Sequence, residues 1–123
     1  MIQIDNKYMI VKNEDWILFL IWKDSTSFFD DNLFKESALQ FHTIVEKLQS
    51  KKILVDMRKF NFILTHEVIN WRKENIITLY NKLKVEKFAF ISEKPSVKQD
   101  DPNNTFLTKE FKNEDDAINW LNN

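Results

Sequence analysis

Asp56 closes the apolar run Ile53-Leu54-Val55, and nine residues later Thr65 stands at the head of an amphipathic stretch. An acid at the carboxyl end of a buried strand lies where open α/β sheets place their ligands. The same acid equally serves as a loop anchor, accepting backbone hydrogen bonds. Thr65 has the side chain of a helix N-cap, whose hydroxyl accepts an N–H of the first turn. A phosphate on that hydroxyl would meet unpaired N–H groups and the positive end of the helix dipole. Thr65 is therefore both a cap and a candidate phosphoacceptor. Arg58 and Lys59 in the intervening loop can offset the added charge, and Glu67 opposes it.

Little else in the chain has the types or spacing for catalysis. His42 and His66 lie on different elements and have no cysteine beside them, because the chain contains none. Disulfides and thiolate zinc sites are excluded, and a metal site on two distant histidines is not expected. Ser25, Ser27 and Ser37 have no histidine at a recognisable spacing. Glycine is absent altogether, so neither a P-loop nor a dinucleotide fingerprint can be written. No cofactor is expected, and an enzyme is the least favoured class. With no glycine, the thirteen asparagines are expected to take the left-handed turn positions.

Eighteen basic and nineteen acidic residues are interspersed, for a net charge of −1. Nucleic acid and anionic lipid are thus not indicated as partners. The apolar run Ile17 to Trp22 has six residues, against about twenty for a membrane span. The first residues lack the basic and apolar regions of a signal peptide, so a cytoplasmic location is expected. A length of 123 residues suits one domain.

Hydrophobic periodicity supplies the elements that must position Asp56 and Thr65. Tyr8 to Lys12 reads as a first strand, followed by a turn at Asn13-Glu14-Asp15. Ile17 to Trp22 is apolar on both faces, as a central covered strand must be. Lys23 to Ser27 is a polar connector. A helix over 31–49 carries the stripe Phe34, Ala38, Phe41, Val45 and Leu48, with His42 at its edge. The strand 53–57 leads through the loop 58–64 into a helix over 66–82. Its stripe is Ile69, Ile76, Tyr80 and Leu83, flanked by Val68 and Leu79. A third buried strand covers 88–92, an exposed loop 92–104 and a further strand 105–111. Asn113 caps a last helix with Ala117, Trp120 and Leu121 inward. The order β-β-α-β-α-β-β-α predicts a single α/β domain: a mixed sheet of about five strands with helices packed on it.

This order, the strand Ile53-Leu54-Val55-Asp56-Met57, the helix opening at Thr65 and the ending Phe111-Lys112-Asn113-Glu114-Asp115-Asp116-Ala117-Ile118-Asn119-Trp120-Leu121 together resemble the STAS/SpoIIAA-like families. Those families include anti-sigma-factor antagonists, and the SpoIIAA-like branch is related to lipid-binding Sec14-type folds. The resemblance implies a regulatory module with a phosphorylatable hydroxyl nine residues past the strand-end Asp, the place of Thr65. Leu64 and Glu67 stand where the antagonists usually carry Asp and Gly.

The expected function is therefore a non-enzymatic regulatory or protein-interaction module, switched at the helix opening at Thr65. Trp71 lies about 200° round the helix from Ile69. It is a candidate partner contact, with Phe60 and Phe62. A small apolar-ligand or lipid-binding domain is the alternative, since Phe60, Phe62 and Ile63 lie in a loop. A homodimer through an edge strand or Trp71 is a further candidate assembly.

Overall fold

The computed structural model describes residues 1–95 and 101–123. Six strands, β1 (Ile2–Asp5), β2 (Met9–Glu14), β3 (Ile17–Trp22), β4 (Lys52–Asp56), β5 (Lys87–Ile91) and β6 (Leu107–Phe111), form one sheet in sequence order. β1, β2 and β3 are antiparallel neighbours, and β3 through β6 run parallel. The crossovers carry α1 (Asp31–Leu48), then α2 (His66–Arg72), a π turn (Lys73–Ile77) and α3 (Thr78–Lys82). α4 (Glu114–Asn122) follows β6.

The period-two pattern of β3 divides the core. Leu18, Leu20 and Trp22 face α1 and the α2–α3 helix, joining Phe34, Phe41, Val45, Val68, Ile76 and Tyr80. Ile17 and Phe19 point to the opposite face, where Leu54, Ala89 and Ile91 meet Ala117 and Leu121 of α4. A strand buried on both faces reads as a continuous apolar run, which is how Ile17–Trp22 is written. Trp120, expected inside, is half-buried against Phe111 at 5.6 Å.

Six strands stand where about five were expected. The additional one is β1, a four-residue edge strand too short to show periodicity. It is set by the Asn6 side chain, whose Oδ1 accepts the N–H groups of Tyr8 and Met9 at 2.9 and 3.0 Å. That Asx turn folds β1 back on β2. The connector 24–28 winds into a 3-10 turn. The exposed loop expected over 92–104 falls partly on residues 96–100, outside the described residues.

Among the described residues, the left-handed positions belong to Asp15, Trp16, Gln49 and Lys84, not to asparagine. The asparagines act instead through their side chains, as at Asn6 and at Asn113, which caps α4 by accepting the Asp116 N–H at 2.9 Å. Asp15 and Trp16, at φ 52° and 68°, form the two-residue tip of the β2–β3 hairpin. Positive φ at both central residues matches the twist of the flanking strands.

The second crossover helix corrects the expected stripe. Val68 is buried with Ile76 and Tyr80, whereas Ile69 is 47% exposed. In an α-helix the eighth residue on lies about 80° away from the first. A π turn closes with i→i+5 bonds and so accommodates an extra residue. It brings Ile76 back under Val68 and rolls Ile69 outward. The Thr78 hydroxyl donates to the Lys73 carbonyl five residues back, at 3.4 Å.

Candidate functional site

Two loops leave the carboxyl ends of β3 and β4 side by side, and a buried threonine ties them together. The Thr26 hydroxyl donates to the Lys23 carbonyl at 2.8 Å and accepts the Asn61 N–H at 2.8 Å. Aromatic rings lock the same junction. Trp22 and Phe60 lie 5.1 Å apart, Phe29 and Phe62 5.9 Å, and Phe34 stacks on Phe62 at 6.0 Å. The loop aromatics Phe60 and Phe62 are thus half-buried parts of the core and hold the loop in place. Ile63 between Phe62 and Leu64 is 89% exposed, and Phe28 on the adjoining 3-10 turn is 71% exposed.

Asp56 ends β4 as expected, and its carboxylate is fully engaged. Oδ1 accepts the Arg58 backbone N–H and Nε, both at 3.0 Å, and Oδ2 accepts Arg58 Nη2 at 2.7 Å. Burial raises the carboxyl's pKa, but the Arg58 hydrogen bonds and the charges of Arg58 and Lys59 outweigh it and hold the group below its usual range. The same hydrogen bond to Asp56 raises the Arg58 guanidinium against a smaller desolvation effect. A carboxylate so paired is a poor proton acceptor and a good loop clamp. Asp56, Arg58 and Lys59 line a groove of about 820 Å³ with Ile10, Ile21, Lys23 and Glu93. Its charges are mixed in sign, which favours polar protein surface over a polyanion.

Thr65 caps α2, accepting the Val68 N–H at 3.2 Å, and donates its own proton to Asp31 Oδ2 at 3.0 Å. One hydroxyl therefore joins the first turns of α1 and α2. It does not line the groove that holds Arg58 and Lys59. Thr65→Ala is expected to cost about 1 kcal/mol in a denaturant titration, as for other lost caps. Thr65→Glu is expected to cost more than Thr65→Ala, because it sets a second carboxylate beside Asp31.

Trp71 is half-buried against the main core, with the Lys35 ammonium 5.8 Å from its ring centroid and Glu67 paired to Lys35 at 3.7 Å. Sequence reasoning did not single out Phe28, nor Trp16, which is 88% exposed at the hairpin tip on the opposite edge. Exposure of one aromatic within an apolar segment leaves no mark in periodicity. The positive φ of Trp16 has no sequence signal either.

Among the described residues no three histidine, aspartate or glutamate side chains come together as metal ligands. Among them, too, no helix is long and apolar enough to cross a membrane. The chain matches no protein-family model, no curated protein and no solved structure.

Proposed function

We propose that the chain is a cytoplasmic, non-enzymatic protein-interaction module of the STAS/SpoIIAA-like kind, which docks a partner through the carboxyl-edge loops. The observation that carries this reading is that Phe28 and Ile63 are both exposed, on two loops tied to each other through Thr26 and the Trp22 aromatic cluster. Large apolar side chains on a rigid platform bind with little ordering cost. The neighbouring groove adds a charged rim. Its strand-end acid is neutralised by Arg58, which supports recognition over acid–base chemistry.

Thr65 enters this reading as a switch by repulsion. A phosphate there would displace the hydrogen bond to Asp31 and face that carboxylate, pushing the α1 and α2 termini apart. The test is a tagged pull-down from the source cells, quantified by mass spectrometry for wild type, Phe28→Asp, Ile63→Asp and Thr65→Glu. A protein recovered with wild type is expected to be lost in both aspartate variants, whose thermal melts should match wild type, and depleted in Thr65→Glu. Equal recovery with all four chains would sink the proposal.

A further inference from the structure

The π turn that rolls Ile69 out of the core also builds a cavity. This slot, about 540 Å³, lies between the α2–α3 helix and strands β5 and β6, and shares no lining residue with the carboxyl-edge groove. Its size falls within the roughly 300–1,000 Å³ of small-molecule sites. Its floor is aromatic: Phe88 lies 4.8 Å from Phe90 and 6.2 Å from Phe106. The displaced Ile69 and Ile77 add an apolar wall.

Two cations, Arg72 and Lys73, stand where α2 passes into the π turn, and both line the slot. Arg72 is half-buried, and among the described residues its side chain makes no ion pair with an acid. The acid lining the slot among those residues, Asp101, accepts the Asn103 N–H at 2.9 Å. The Arg72 guanidinium is not sealed from solvent, so its donors are open to an anion entering the slot, and their planar fork matches a carboxylate. Beside it the aromatic floor offers burial to an apolar body.

We infer that this slot binds a carboxylate-bearing amphiphile, its apolar chain on Phe88, Phe90 and Phe106 and its carboxylate on the Arg72 guanidinium. The inference is independent of the docking loops, since neither Phe28 nor Ile63 lines the slot.

Titration calorimetry with decanoate, 1-decanol and acetate tests it on wild type, Arg72→Gln and Ile69→Glu. Decanoate is expected to saturate wild type, to bind about tenfold or more weakly to Arg72→Gln, and to fail with Ile69→Glu. Decanol lacks the charge and acetate lacks the chain, so neither should saturate in the same range. A two-dimensional NMR titration of wild type should move the amides of β5 and the π turn, locating the site without any substitution. The inference is overturned by absent decanoate saturation, by decanol binding as tightly, by undiminished binding to Arg72→Gln, or by shifts confined elsewhere.

Discussion

Lowering the pH from 6.5 to 4 is expected to cost the fold about 3 kcal/mol through His42 alone. His42 is 3% exposed on α1, its ring 4.7 Å from Tyr80 of α3. Burial, and then the nearby charge of Arg72, lower its pKa from 6.5 to about 4. In the unfolded chain the imidazole takes up a proton near pH 6.5, whereas in the folded chain it resists until about pH 4. Across that window the unfolded state binds more protons. Stability is therefore fully present above 6.5 and falls as the pH drops to about 4. Thermal melts at a series of pH values should show this loss in wild type and not in His42→Phe. Because Nδ1 is buried without a partner among the described residues, removing it should leave the variant at least as stable at pH 7. Asp56 acts in a separate range, since its lowered carboxyl titrates below 3.8 and its stabilisation is lost only as the pH falls further. A pH slope in His42→Phe equal to that of wild type would refute the assignment.

His42 also marks where sequence reading stops. Its position at the edge of the α1 stripe was legible from Phe41 and Val45, because an apolar stripe constrains its neighbours by geometry. Its complete enclosure depends on Tyr80, thirty-eight residues on, and on how α1 meets α3. Asp56 is similar. Its place at the end of β4 follows from Ile53-Leu54-Val55, but the fork with Arg58 depends on a backbone turn that composition does not encode. The cap at Thr65 was legible, while its bond to Asp31 joins residues thirty-four apart. The register of α2 is hidden from the sequence for a stronger reason. Spacing of seven is the α-helical expectation, and the chain uses eight by inserting a π turn. Nothing local distinguishes Val68 from Ile69 as the inward residue.

Trp22→Ala is expected to remove about 3–5 kcal/mol, the usual cost of truncating a large buried aromatic. Trp22 is 4% exposed and sits where three elements converge. It meets Phe29 edge-on at 5.7 Å, stacks on Phe34 of α1 at 6.2 Å and packs on Phe60 of the 57–64 loop at 5.1 Å. The cavity left by its removal cannot close by movement of β3, which is held by β2 on one side and β4 on the other. The loop is held by Trp22 itself and lies outside the sheet, so relaxation should draw Phe60 inward and strain the Asn61–Thr26 hydrogen bond. Hydrogen exchange at the Asn61 amide is then expected to accelerate beyond the global loss of stability, while amides within β4 accelerate only in proportion to it. Trp22→Phe retains ring contact and should cost well under half as much. In a double-mutant cycle with Phe60→Leu the two changes should be non-additive, because they share one contact. A loss below about 1 kcal/mol for Trp22→Ala, or strict additivity in that cycle, would mean that Trp22 does not hold the loop. Because the same loop presents Ile63, the variant should lose partner binding more steeply than its remaining folded fraction accounts for.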